Sequence, residues 1–193
     1  MQIHRLVPYR FLWKIKIPLK VKTFIWLMLK KSILTRDVLL HRGGVCVAKC
    51  LFCGKNETIS HLFFECPLAR YIWNVVSCTL GVNCQFSSVE EVVSHWLKGH
   101  FRKRRNLLAV TVAAVFWGIW KVRNAACFQG VWPDEPCIVV FKICYWIQWW
   151  ALLQVTGGAK DKLIYLAKLL ERVATEVFGA RRSWRPWIPR LMM

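Results

Sequence analysis

Acidic residues are scarce in this chain of 193 residues: ten Asp and Glu stand against 29 Lys and Arg, a formal net charge of +19. Two-metal phosphoryl chemistry needs paired carboxylates to hold its ions, and the ten acids are scattered with no Asp-Asp pair among them. The adjacent pairs Glu90-Glu91 and Asp134-Glu135 read as a helix start and a proline-rich turn. Neither a G-x-x-x-x-G-K-[ST] phosphate loop nor a G-x-S-x-G nucleophile elbow occurs. His4, His41, His95 and His100 have no sequence neighbours that would form a catalytic constellation with them. The residues for polymerase, ribonuclease, NTPase or hydrolase chemistry are therefore missing, and the expectation is a chain that is not an enzyme.

Other absences narrow the setting. No charged segment followed by an apolar run and a small-residue cleavage site opens the chain, so the expected location is intracellular, nuclear or cytoplasmic, and not secreted. Nine cysteines, an odd number with a single C-x2-C pair, suit a reducing compartment better than a disulfide framework. Long apolar runs are also missing: residues 107 to 120 make only 14, below the roughly 20 that span a bilayer. The second candidate, residues 138 to 155, is interrupted by Lys142 and Gln148. Despite 56% hydrophobic residues and 12 Trp, a membrane is an unlikely partner and buried helices explain both stretches.

What is present centres on CLFCGKNETISHLFFEC, where Cys50, Cys53, His61 and Cys66 form a C-x2-C-x7-H-x4-C array. Zn2+ binds thiolate sulfur and imidazole nitrogen tetrahedrally, and a two-residue gap lets one turn aim two sulfurs at one ion. Gly54 follows at once, where such a turn benefits from positive φ. Three Cys and one His close the shell, which makes the expected site structural rather than catalytic. Cys46 competes with Cys50 on paper, and the C-x2-C spacing with Cys53 favours Cys50. A hydrolase built on Cys66 and His61 would have to take both from the metal array, which uses them better.

The same run, continued as HLFFECPLARYIW over residues 61 to 73 behind CLFCG and Glu57-Thr58, resembles the zinc-binding domain downstream of reverse transcriptase in plant LINE-type retroelements. Trp13, IPLKVKTFIW over residues 17 to 26, Leu34-Thr35-Arg36-Asp37 and Leu40-His41-Arg42-Gly43 fall in the order of that family. The stretch WGIWKVRNAACFQG, residues 117 to 130, is similar to one that often precedes a ribonuclease H domain in those elements. The resemblance implies a zinc-binding module of retroelement origin, separated here from polymerase and ribonuclease H domains.

Periodicity supplies the expected frame: mostly α, with a small treble-clef-like zinc knuckle between helices and a helical C-terminal extension. Pro18 opens a helix whose Val21, Phe24, Ile25 and Met28 share one face. Thr35 caps a short second helix that Gly43 and Gly44 end. Pro67 starts a helix running to about Cys78, with Cys66 at its positive end. Ser88 and Glu91 form a capping-box pattern. Long helices are expected over residues 103 to 127 and 136 to 154, and another ends at Gly179. The expected division is 1–80 zinc-binding domain, 81–180 helical extension and 181–193 basic irregular tail.

So basic a chain points to a polyanion, RNA or DNA, because neutralised phosphates release their counterions. The expected phosphate contacts are Lys20, Lys22, Lys30, Lys31 and Arg36, with Arg102, Lys103, Arg104 and Arg105 as a second surface. The knuckle itself holds one Lys against two Glu and would position its neighbours rather than bind phosphate. Trp13, Phe24, Trp26 and Phe101 flank these clusters and would stack on bases unless they are core residues. Two rival readings stay open: a protein-interaction adaptor using Trp-rich helices, first of all residues 145 to 150, and a degenerate retroelement fragment without selected function.

Overall fold

The computed structural model describes residues 9–92, 104–155 and 157–179. The fold is mostly helical, as the periodicity predicts. Helices α1 (Tyr9–Lys14), α2 (Leu19–Leu29) and α3 (Arg36–His41) precede the Cys/His segment. A π-helical turn (His61–Glu65) then leads into α4 (Pro67–Leu80). Three longer helices follow: α5 (Arg105–Gln129), α6 (Pro136–Ala151) and α7 (Gly157–Gly179). Among the described residues there is no strand, only an isolated antiparallel bridge between Lys49 and Asn56. Arg102, Lys103, Phe101 and the tail 181–193 lie outside the described residues.

Local chemistry accounts for most helix ends. Pro67 occupies the first turn of α4, where its missing N–H removes no bond, and Gly81 closes the helix in the left-handed region at φ 63°. The Glu91 N–H donates to Ser88 Oγ at 3.1 Å, while the Glu91 carboxylate accepts from the Ser87 N–H and hydroxyl. Thr35 does stand at the N-cap of α3, but its side chain makes no capping bond. The Arg36 N–H donates instead to Glu57 Oε1 at 3.0 Å, so the cap comes from a residue 21 positions away. A carboxylate is well suited to that end, where the helix dipole is positive.

One contiguous apolar core runs from Leu12 to Ala174 and draws on every helix except α3. Its most extensive packing is α6 on α7 and α5 on α6, while α4 leans on α7 and α2 on α5. The Tyr71 hydroxyl in α4 donates to the Ala174 carbonyl in α7 at 3.0 Å. The expected metal-binding and helical segments thus share their core. Helices α5 and α6 meet at Gly118, where a Cβ would lie 2.5 Å from Ile143 Cγ1. Phe24 is core too, with its ring 5.5 Å from Trp117 and 6.3 Å from Phe63, and it does not offer a stacking face. Trp13 and Trp26 remain exposed.

At 25 residues, α5 is long and apolar enough by length and composition to cross a membrane, which the 14-residue run does not anticipate. In this fold 67% of its most apolar window is buried against protein.

The second link between the two ends of the chain is polar. The Arg123 guanidinium in α5 donates from Nη2 to Glu57 Oε1 at 2.7 Å and from Nε at 3.2 Å, with both side chains at most 2% exposed. Its plane also covers the Trp120 ring at 5.1 Å, and Nη1 donates to Asn124 Oδ1 at 3.0 Å. Removing one partner of a buried pair strands the other charge, a loss of about 3–5 kcal/mol. Arg123→Met should therefore lower the urea midpoint by that equivalent. Arg123→Lys, which keeps the charge and lacks the fork, should recover only part. Equal midpoints for all three proteins would show that the pair does not hold the fold.

Candidate metal centre

Residues 48 to 66 build the centre from two short devices. In the first, the Lys49–Asn56 bridge closes a loop whose interior is tied by Cys50 N–H to Lys55 O at 2.6 Å and Gly54 N–H to Cys50 O at 2.9 Å. Gly54 takes φ 76°, the conformation expected after Cys53. The turn brings Cys50 and Cys53 to the same side, one buried and the other half-buried.

The second device is one that spacing alone does not announce. At 3.6 residues per turn, positions five apart lie about 140° from each other around an α-helix, so His61 and Cys66 would diverge. The backbone widens instead: Cys66 N–H donates to His61 O at 2.7 Å, an i to i+5 bond. Thr58 starts this turn, its hydroxyl accepting from the His61 N–H at 3.0 Å. At the other end Cys66 turns extended, with φ −58° and ψ 137°, and caps α4. The wide turn is anchored by aromatics. The Trp73 indole N–H donates to the Phe63 carbonyl at 2.7 Å, and the Phe64 and Trp73 rings stack at 6.1 Å over Phe116 of α5.

The four candidate ligand atoms lie within 4.8 Å of one another. Cys50 and Cys66 Sγ are 3.9 Å apart, and Cys53 Sγ is 3.1 Å from His61 Nε2. A tetrahedral shell with Zn–S bonds of about 2.3 Å has edges of about 3.8 Å, so the cluster has the dimensions the ion requires. Glu65 comes within 3.9 Å of His61 Nδ1, on the ring nitrogen left over for an outer carboxylate. Cys46 is elsewhere, its thiol directed at the Arg36 carbonyl at 3.7 Å.

Electrostatics inside the cluster favour a cation. The bond from the Cys66 thiol holds Cys50 below the usual thiol range, against the upward push of burial. The same bond, together with burial, raises Cys66, and burial raises Cys53. One thiolate is thus easy to form here and the others are hard. A divalent ion would supply the charge needed for all three to ionise. With all four side chains as ligands a tetrahedral shell would be full, leaving no coordination position for water or substrate. No other group of three or more potential ligands occurs among the described residues.

The residues expected to meet phosphate divide in the structure. Lys20 and Lys31 are exposed, while Lys22 and Lys30 are half-buried. Lys20 lies over the Trp117 ring at 5.8 Å, and two positions along α2 turn Lys22 to the opposite flank. Arg36 is half-buried and already engaged within the fold: its Nη1 donates to the Val47 carbonyl at 2.6 Å and its Nη2 reaches Cys127 Sγ at 3.7 Å. That guanidinium is a strut behind the metal loop, because its helix starts against Glu57. Arg104 is exposed, and Arg105 lies over the Phe11 ring of α1 at 5.6 Å.

The fold brings this last pair to the N-terminal lysines. Gln154 accepts from Asn106 at 2.9 Å and donates to the Lys16 carbonyl at 3.1 Å, tying the start of α5 to the end of α1. Lys22 Nζ donates to the Trp13 carbonyl at 2.8 Å. Burial lowers the Lys22 pKa, and the nearby Lys16 charge lowers it further. Lys14 and Lys16, which the sequence reading passes over as site residues, are exposed here. Glu57 and Arg123 were missed as well; the only signal is that both fall within the motifs carrying the family resemblance.

Residues 2–73 match the family described as zinc-binding in reverse transcriptase. A curated Arabidopsis thaliana relative named "Putative ribonuclease H protein" is 32% identical over 120 residues, 60% of this chain. The chain spans about a fifth of that relative, 19% of its length. No solved structure matches the chain.

The purified chain is expected to bind one equivalent of zinc by elemental analysis. Cys53→Ser should abolish binding, whereas Cys46→Ser should leave it intact. Zinc contributes on the order of 10 kcal/mol in small modules, comparable to a domain's net stability. Complete chelation should therefore collapse the helical circular dichroism, and an unchanged spectrum would show that the core needs no metal.

Proposed function

We propose that this chain, whose residues 2–73 match the zinc-binding family of reverse transcriptases, is a non-catalytic module of plant retroelement origin that holds Zn2+ structurally and contacts RNA or single-stranded DNA. Zinc is favoured over harder cations by a set of three thiols and one imidazole. A closed shell and ten scattered acids with no Asp-Asp pair both favour a structural role over a catalytic one.

The observation that carries the nucleic-acid reading is the convergence of separate basic segments. Lys14, Lys16 and Lys22 come from one end of the sequence and Arg104 and Arg105 from its middle, yet Gln154 and the Arg105–Phe11 contact draw them to one side of the fold. No ion pair between these five and an acid occurs among the described residues. Unneutralised cations packed closely enough to perturb one another gain from meeting phosphates, since each contact also releases counterions. Trp13 is 44% exposed beside them and offers a face for a base. Zinc acts at a distance in this reading: it fixes the loop against α3 and α5, and α5 carries the arginines.

The test is binding of labelled single-stranded RNA and DNA oligomers across a salt series. The charge-reversed protein Lys16→Glu, Lys22→Glu, Arg104→Glu, Arg105→Glu should bind every sequence more weakly. Its log–log salt slope should flatten by about 3, from roughly 0.7 per lost phosphate contact on single strands. A folded, zinc-loaded variant with the slope of the parent would exclude this surface as the interface.

A further inference from the structure

The outer faces of α5 and α6 leave an open groove of about 600 Å3, remote in character from the basic surface. We infer that this groove is a docking site for the apolar face of an acidic amphipathic helix from a partner protein. Its walls expose Phe128, which is 77% accessible, together with Phe141 and Tyr145. Single exposed apolar residues are ordinary, but several converging on one concave site mark an interaction surface. The floor exists because Gly118 lets α5 and α6 approach closely, so that a third helix can lie in the depression between two.

Charge selects the occupant. The groove is lined by two lysines, Lys121 on α5 and Lys142 on α6, and by no acid. Lys142 is the only charged residue in α6. On α5 the neighbouring Arg123 faces inward to Glu57 and is unavailable to a ligand. An apolar trough with a cation on each wall complements a helix that carries Glu or Asp on both flanks of its apolar stripe, and the long lysine stems can cover that stripe's edges. A second copy of this chain is a poor occupant, because at +19 the copies repel. Two cations are also too few for a phosphate track, whose affinity grows with the number of phosphates neutralised.

This inference is independent of the nucleic-acid reading, since it concerns another surface and another class of partner. The experiment uses the full zinc-loaded chain and two labelled helical peptides of about 16 residues, enough for four turns. Both peptides carry Leu at i, i+3, i+4 and i+7; one has Glu on the flanks and the other Lys. By fluorescence anisotropy the Glu peptide should bind saturably, and the Lys peptide at least about tenfold more weakly. Phe128→Ser with Tyr145→Ser should cut binding of the Glu peptide by at least about tenfold, as loss of aromatic anchors does. Both side chains are largely exposed, so zinc content and melting should not change. Lys121→Glu with Lys142→Glu should reverse the preference between peptides. The proposal is overturned by equal binding of both peptides, by no saturable binding of the Glu peptide, or by binding that survives the serine variant. Displacement of the Glu peptide by a single-stranded oligonucleotide that the serine variant no longer binds would overturn it in favour of a nucleic-acid groove. Concentration-dependent self-association abolished by the same variant would overturn it in favour of a second copy.

Discussion

Glu57 reaches Arg123 across 66 residues of sequence at 2.7 Å, with both side chains shielded from solvent. A carboxylate so placed must be fully satisfied, because an unpaired buried charge is destabilising by several kcal/mol. Glu57 meets that condition through two partners and is held through its backbone as well. Its carboxylate takes Arg123 from α5 and the Arg36 N–H at the start of α3, while its backbone N–H donates to Ala48 and its carbonyl accepts from Asp37. The metal loop, the short helix before it and the long helix behind it are therefore fixed to one residue. Arg36 completes the arrangement by bonding the Val47 carbonyl.

The ligand cluster sits on this frame. Cys50 and Cys53 depend on a loop closed by the Lys49–Asn56 bridge, and Glu57 comes directly after Asn56. His61 and Cys66 depend on the π-helical turn, whose apolar side chains Phe63 and Phe64 pack on Phe116 of α5. Such turns leave backbone groups to be satisfied elsewhere and concentrate at functional sites. Here the Trp73 indole takes the Phe63 carbonyl. Hence the segment from His61 to Trp73 is neither a simple helix nor a simple loop: ligands, core rings and a hydrogen-bond donor alternate along it. The candidate ligands and the core rings share one backbone, so a metal held by the four side chains would stabilise the same segment that core packing holds.

The surface follows from how those internal demands sort the charges. Of the cations that sequence offers, Arg36 and Arg123 are taken inward by carbonyls and by Glu57. Those with no internal acceptor of that kind, such as Lys16 and Arg104, are left on the outside. The aromatic residues sort likewise. Phe24 and Trp73 enter the core, whereas Phe128, Tyr145 and Trp149 stay on the faces of α5 and α6 that no other described element covers. A cluster of potential metal ligands, a set of exposed cations and an apolar groove are thus consequences of one packing arrangement.

Much of this protein was legible in the chain because the relevant physics is local. Four ligands within 17 residues, a glycine after the C-x2-C pair and prolines at helix starts all act over a few bonds, and helix periodicity reports burial without knowledge of the neighbour. What stayed hidden involved partners distant in sequence. Nothing near Thr35 indicates that Glu57 caps its helix, nothing near Arg36 separates it from the surface lysines, and no spacing rule places Arg105 beside Phe11. The widened turn at His61 is a case between the two. Its residues are adjacent, but an α-helical course for the same five is decided against by the Thr58 cap, by Trp73 and by the need to pack Phe63 and Phe64 on a helix more than 40 residues later. The sequence by itself determined which residues could bind metal and which would be helical, because coordination chemistry and backbone periodicity are short-ranged. Only the tertiary structure decided which charges are neutralised and which face solvent, because the pairing of a buried charge depends on whatever the fold brings within 3 Å of it, not on its neighbours in the chain.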